Sequence, residues 1–386
     1  MKLYVRYFLM MLLFQFFQCS LLPVNSAPVE LIPVYKGDGS IYDIKTGGQI
    51  TIPEQKLLNI LILPEGYTQE DLDNKKFDRD VETWMNETSV VEPFLSFKNA
   101  FVVWQYNTAS KEHVVKGGGK KQTAFGITVD ASGELVLEFD EAARKVWEIG
   151  RKTNILRDDF YPPGGITGYL NMNLIVVILT YDPQLDRSGY SGCSRRLANP
   201  QNNKQLLSTA ISHNRPHEFL HAFARLGDEY LAENPGNDLI ANAQSETSRF
   251  LYNVVKDPDY RTVPWRHLFA GGEINKDVGG VVGIYGNAIN GYHSEAKCLM
   301  NGTKDNAQVY GGNGNLRVTN RLCNWCREIT VFRLYERLHV FKDPSTAFAI
   351  WIKDYRLKFY RKFGFMVPEV IPQVNSNGAI IPEVSR

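Results

Sequence analysis

Residues 215–230 read Arg-Pro-His-Glu-Phe-Leu-His-Ala-Phe-Ala-Arg-Leu-Gly-Asp-Glu-Tyr. His217 and His221 stand four apart, about one helical turn, so both rings leave one face of a helix and can reach a single ion. Glu218 follows the first histidine by about 100° of rotation. From there its carboxylate reaches a metal-bound water without ligating the metal. Two neutral imidazoles, a third protein ligand, an open coordination position and a base for the water are what a zinc peptidase requires. The competing reading is an amphipathic helix whose histidines only pack or face solvent, and the pentapeptide alone is a weak signal. Its surroundings favour the metal. Phe219, Leu220, Phe223 and Leu226 form a core-facing stripe that leaves the histidine side free for a cleft. Pro216 suits the first helical turn, and Gly227 can end the helix. Beyond it, Asp228 and Glu229 place two acids at the end of the helix dipole where negative charge is unfavourable, a penalty that a bound cation removes. Either acid can supply the third ligand.

The elements expected to carry this helix alternate between strand and helix patterns. Leu57 to Leu63 is an apolar strand interrupted only by Asn59. Thr68 with Asp71 has the form of a capping box, and Phe77, Val81, Trp84 and Met85 follow at helical spacing. Phe101 to Tyr106 and Leu174 to Leu179 read as buried strands, Phe125 to Phe139 as a hairpin around Asp130-Ala-Ser-Gly133, and Ala142, Val146 and Ile149 as a helix. Ser188-Gly-Tyr-Ser-Gly192 falls where an edge strand above the active helix is expected to pair with extended substrate; an ordinary surface loop is the equal alternative. Leu322 to Leu338 has amphipathic spacing, and Asp343-Pro344 opens a further helix to about Tyr360.

The chain has 386 residues, 44% hydrophobic and 12% aromatic, enough for a sizeable core. Its formal net charge of +1 gives no electrostatic case for nucleic acid or an anionic membrane. Lys2 and Arg6, an apolar run from Tyr7 to Phe17 and Asn25-Ser26-Ala27 read as a signal peptide over 1–27, which predicts a secreted, extracellular protein with no membrane span in the mature chain. Residues 28–57 lack periodicity and read as a lead-in, 58–365 as the catalytic domain, and 366–386 as an unstructured tail. Cleavage leaves Cys193, Cys298, Cys323 and Cys326, an even number that predicts two disulfides of open connectivity, with a four-cysteine zinc site as the rival. Asn86-Glu-Thr88 and Asn301-Gly-Thr303 are glycosylation acceptors in a secreted eukaryotic chain.

Several separated motifs, in order, resemble the bacterial immunoglobulin-A peptidase family of zinc metallopeptidases. His-Glu-Phe-Leu-His-Ala-Phe-Ala-Arg-Leu-Gly-Asp-Glu-Tyr over 217–230 is similar to that family's active-site helix. Leu61-Ile-Leu-Pro-Glu-Gly-Tyr67 resembles its opening strand and turn, and Pro93-Phe94 with Asn99-Ala-Phe-Val-Val103 its next loop and strand. Cys298-Leu-Met300 and Cys323-Asn-Trp-Cys326 resemble its Cys-x-Met and Cys-x-x-Cys elements. The likeness spans roughly residues 58 to 340. It implies His217, His221 and Asp228 as zinc ligands, Glu218 as general base, and Met300 in a turn beneath the metal. The chain departs from the family pattern at Leu220, where glycine is usual, and at Tyr292-His293-Ser294, where the family has Tyr-Arg-Pro.

The expectation is therefore an α+β, zincin/metzincin-like catalytic domain with a mixed sheet, an HExxH helix, a Met-containing turn and C-terminal helices. It would act as a secreted zinc-dependent endopeptidase on protein or peptide substrates, with one catalytic Zn2+ and a Glu218-activated water. Two alternatives stand beside it: a secreted metal-binding protein of peptidase ancestry without proteolytic activity, and a zinc hydrolase of non-peptide amides or esters.

Overall fold

Runs of apolar residues long enough to be buried on both faces build the centre of the molecule. In the computed structural model, residues 30–119, 122–129, 131, 135–137, 139–156, 160–161, 169–183, 192–212, 216–229, 253–255, 259, 261–269, 282, 284–286, 292–295, 298–301, 322–341, 343–363, 373–374 and 380–381 are described. The segment read as a signal peptide, 1–27, lies outside them, as do Tyr230 and residues 231–252. Apart from Glu30, the described residues belong to one compact unit, Leu31–Arg386.

Seven strands make one sheet: β1 (Ile32–Lys36), β2 (Leu58–Glu65), β3 (Phe101–Gln105), β4 (Phe160–Tyr161), β5 (Tyr169–Thr180), β6 (Cys193–Asn199) and β7 (Asn202–Ser212). The order is β1-β3-β2-β5-β7-β6, with β4 added beside β5. Strands β3, β2, β5 and β7 run parallel, while β1, β4 and β6 join antiparallel. The sheet is thus mixed. Along β2, Ile60 and Ile62 enter one core, and Leu61 and Leu63 the other. Along β5, Ile175, Val177 and Leu179 alternate in the same way with Leu174, Val176 and Ile178. That period of two across a sheet covered on both sides explains why β2, β3 and β5 read as apolar runs. Along β2 the polar interruption, Asn59, is buried; its Oδ1 accepts from Trp104 Nε1 at 2.9 Å and its Nδ2 donates to Leu57 O at 3.3 Å.

Helices cover both faces. After β2, Gly66 turns the chain at φ 80°, where a Cβ would meet Tyr181 O at 2.5 Å. Helix α1 (Gln69–Asp73) then opens on a capping box: the Thr68 side chain accepts from Asp71 N, and the Asp71 carboxylate takes the Thr68 N–H. Helix α2 (Lys76–Ser89) buries Phe77, Val81 and Trp84. On the opposite face α3 (Phe139–Lys152) sends Ala142, Val146 and Trp147 into the second core. Helix α4 (Pro216–Ala224) follows β7 and packs in the first core, as does α5 (Asn324–Arg337). The terminal pair α6 (Pro344–Ile350) and α7 (Arg356–Phe363) is joined by a π-turn, Trp351–Tyr355.

Three expectations change. Residues 32–36, read as part of a lead-in, form the edge strand β1 opposite β6. The first core thereby extends to one end of the sheet, and aperiodic Pro- and Gly-containing sequence hid a strand with only one short partner. In the stretch read as a tail, Gln373–Val374 and Ile380–Ile381 pair as a two-residue ladder, and the rest of it lies outside the described residues. All four cysteines are unbridged. Cys193 packs against the second core while the other three lie buried in the first, so the expected pairing of Cys193 is not formed. Of the glycosylation acceptors, Asn86 is exposed on α2, whereas Thr88 is buried.

Candidate metal centre

The position of α4 follows from its apolar stripe. Phe219, Leu220 and Phe223 have no exposed surface and Leu226 is 3% exposed. Phe219 meets Trp84 and Phe94 with ring centroids 5.3 Å away in each case, and Phe223 meets Phe94 at 5.3 Å and Phe101 at 5.9 Å. Burying each such side chain contributes about 1.5–3 kcal/mol, so the helix has one preferred rotation. The opposite face carries the histidines. At its carboxyl end α4 is held by Arg337 of α5, buried, whose guanidinium donates to Phe223 O (3.2 Å), Ala222 O (3.3 Å) and, across to the sheet, Met172 O (2.9 Å). A cation on the otherwise unsatisfied last carbonyls both caps the helix and complements its dipole.

The helix stops three residues before the glycine expected to end it. Arg225 adopts φ 58° directly after Ala224 and turns the chain back over the histidines. Gly227 has another role. Its N–H donates to Asn253 Oδ1 and its carbonyl accepts from Asn253 Nδ2, both at 2.7 Å. Asn253 is fully buried and so fixes the loop that carries the two acids.

Those acids point to different places. Asp228 Oδ1 lies 2.8 Å from His217 Nε2 and 3.2 Å from His221 Nε2, and the two Nε2 atoms are 3.1 Å apart. His217 Nδ1 meets Leu299 O at 3.1 Å and His221 Nδ1 meets Leu226 O. A carbonyl can only accept, so each Nδ1 carries the proton and each Nε2 presents a lone pair to the shared point. Three acceptors converge there, and only a cation can sit among them. Ligand bonds of about 2.0–2.1 Å in tetrahedral array put donor atoms roughly 3.3 Å apart, within a few tenths of an ångström of these separations. The donor set therefore fits a zinc ion. Without one, a proton takes the role: burial opposes it, but Asp228 and Glu218 raise the His221 pKa from 6.5 to about 9. Burial likewise opposes the Asp228 charge, yet His221 and His217 hold that carboxyl far below its ordinary range.

Glu218 is 9% exposed, and its carboxylate oxygen is within 4.8 Å of the ligand nitrogens of both histidines. Burial pushes its pKa up, with His221 and His217 pulling it back. Gly192, at the start of the edge strand β6, lies directly on it: a Cβ there would come within 2.2 Å of Glu218 Cγ. Of the segment expected to form an edge above the active helix, residues 188–191 lie outside the described residues, and β6 begins just after them.

Glu229 turns the other way. Its N–H donates to Met300 O at 2.8 Å, and its carboxylate enters a buried group with Cys298, Cys323 and Cys326. That cysteine and glutamate cluster could hold a metal ion. The turn Leu299–Asn301 thus touches both places, accepting from His217 through Leu299 O and from Glu229 through Met300 O. Spacing alone could not separate Asp228 from Glu229, and nothing marked Asn253, which lies in a polar stretch without periodicity. No protein-family model matches the chain, and no curated protein matches it.

Proposed function

We propose that the chain is a secreted zinc-dependent endopeptidase of zincin/metzincin-like fold, similar in its motifs to the immunoglobulin-A peptidase family. The observation that carries this reading is the convergence of His217 Nε2, His221 Nε2 and Asp228 Oδ1, each ring oriented by its own Nδ1–H, beside a carboxylate that is not one of the three. A site built only for structure has no use for Glu218 next to an open position. Zinc bound there would polarise the scissile carbonyl and bring the pKa of a coordinated water toward neutrality.

The rest is done by the chain. Glu218 takes the proton of the attacking water and delivers it to the leaving amine, a task matched to a carboxyl whose pKa burial has raised. Backbone carbonyls of Leu226 and Leu299 keep the rings from turning as charge moves. Strand β6 ends the sheet with its outer edge unpaired among the described residues, and it starts against Glu218. An extended peptide adding to that edge would run past the carboxylate, which favours a peptide over a small ester.

The test is Glu218→Gln. The variant should fold and bind zinc like the parent but cleave casein about 10²–10⁴-fold more slowly. Full activity in the variant would contradict the role of Glu218. Absence of chelator-sensitive cleavage in the parent would contradict the peptidase reading.

A further inference from the structure

Behind the turn that carries Asp228 lies a second set of potential ligands. The carboxylate of Glu229 and the sulfurs of Cys298, Cys323 and Cys326 lie within 4.8 Å of one another, and none of the four residues is more than 2% exposed. Glu229 Oε1 is 3.0 Å from Cys326 Sγ and 3.9 Å from Cys323 Sγ, and it also accepts from Asn253 Nδ2 at 3.0 Å. Its other oxygen, Oε2, is buried with no hydrogen-bond partner; His293 Nδ1 lies 3.6 Å away, but its proton goes to Glu295 O at 2.9 Å and burial favours the neutral ring. Among the described residues no lysine or arginine pairs with this carboxylate; its donors are Asn253 Nδ2 and the thiols around it, so its buried charge is not balanced by a cation there.

Two of the three sulfurs, by contrast, are supplied with donors. Cys323 N donates to Cys298 Sγ at 3.4 Å, and Cys326 N donates to Cys323 Sγ at 3.3 Å. Ser294 Oγ lies 3.4 Å from the same Cys323 sulfur. Cys323 is the N-cap of α5, so its sulfur sits at the positive end of that helix. Donors aimed at the Cys323 sulfur favour its thiolate, while the Cys326 thiol donates to Glu229.

We propose that Cys298, Cys323, Cys326 and Glu229 form a second, structural zinc site, distinct from the histidine site and closed to solvent. Tetrahedral coordination with Zn–S of about 2.3 Å and Zn–O of about 2.0–2.2 Å sets sulfur and oxygen roughly 3.5 Å apart, between the 3.0 and 3.9 Å found here, and all four ligand atoms lie within 4.8 Å of one another. The ion displaces the thiol protons to solvent. A disulfide accounts for the cluster less well, because three cysteines leave one thiol over and the carboxylate still uncompensated. The site would tie three segments together: the loop after α4 through Glu229, the Met300 turn through Cys298, and α5 through Cys323 and Cys326. Because Asp228 and Glu229 are adjacent, the structural ion would set the distance of the third histidine-site ligand from α4.

The test uses the full mature chain carrying His217→Ala and His221→Ala, loaded with zinc and desalted. About one zinc per chain should remain, against about two in the parent, and X-ray absorption at the zinc edge should show sulfur neighbours at about 2.3 Å. Should that variant not fold, cobalt loading of the parent gives the same information, with intense thiolate-to-cobalt absorption expected. A variant that folds without retaining zinc, zinc with only nitrogen and oxygen neighbours, or no thiolate absorption in the cobalt protein would overturn the proposal. So would an unreduced intact mass showing a disulfide among these three cysteines. If the histidine site itself holds nothing, parent and variant would each carry one sulfur-bound ion, so the two proposals fail separately.

Discussion

Gly192 leaves the space that the Glu218 side chain occupies. A methyl group at 192 cannot coexist with the observed Glu218 Cγ, 2.2 Å away, and must displace the carboxylate. Misplacing a catalytic group by about 1 Å costs on the order of 10²-fold in rate. Gly192→Ala should therefore lose about that much casein cleavage while its zinc content and melting midpoint stay near the parent's. Parent-like cleavage would show that the carboxylate is free to move. Asn253 acts on the metal through the loop. Its amide makes three hydrogen bonds to the backbone of Gly227 and the side chain of Glu229. Removing such outer support commonly weakens metal binding by about 10–100-fold. Asn253→Ala should show that loss in a chelator competition titration with Glu218 still competent at saturating zinc, and unchanged affinity would argue against loop positioning.

At the scale of elements, helices and strands with strong periodicity were legible in the sequence. The capping box at Thr68, the strand ahead of it, the core stripe of α4 and the long α5 occur where residue spacing placed them. Strands β1, β6 and β7 were not. β1 and β6 are edge strands whose solvent-facing residues break the pattern, as with exposed Arg195 and Arg196, and β7 carries polar residues at its start. Of the site, the two histidines and Glu218 could be read from spacing. The choice between Asp228 and Glu229 could not, because adjacent side chains diverge by the local backbone path, set here by Arg225 at φ 58°. Nor could the clustering of three cysteines, which depends on packing between segments far apart in the chain.

Helix α5 also carries a buried acid, Glu328, outside the candidate metal sites. Glu328 receives Arg356 Nε (2.6 Å), Tyr360 OH (2.6 Å), His267 Nε2 (2.8 Å) and Trp351 Nε1 (2.9 Å), joining α5 to the π-turn and α7. Burial opposes its charge, but Arg356 and His267 with these donors outweigh it and hold the carboxyl well below its usual 4.5. A lowered folded pKa means stability that is complete above the unfolded value and is lost as pH falls below about 4.5 toward the folded one. Glu328→Gln leaves Arg356 buried without its partner and should cost about 3–5 kcal/mol in denaturant unfolding near neutrality. It should also remove part of the acid sensitivity seen in the parent below pH 4.5. An equal loss of stability on acidification in both proteins would sink this assignment.

At the scale of the whole molecule, a two-faced sheet separates two cores, and the functional geometry belongs to one of them. The first core holds α4, α5 and the terminal helices, and both candidate metal sites draw their ligands from α4, the loop after it, the turn at 298–301 and the start of α5. Among the described residues no helix is long and apolar enough to cross a membrane. What joins sequence to proposed activity is a chain of positional constraints. Apolar residues fix the rotation of α4, Arg337 caps its end, Asn253 holds the loop beyond, and Asp228 is left facing two rings whose outer nitrogens are already spoken for. The most direct measurement is an anomalous difference map at the zinc edge from crystals of the zinc-loaded protein. A strong peak about 2.0–2.2 Å from His217 Nε2, His221 Nε2 and an Asp228 oxygen is the predicted result at this site. Rings rotated apart, with no anomalous density between them at full zinc loading, would contradict it.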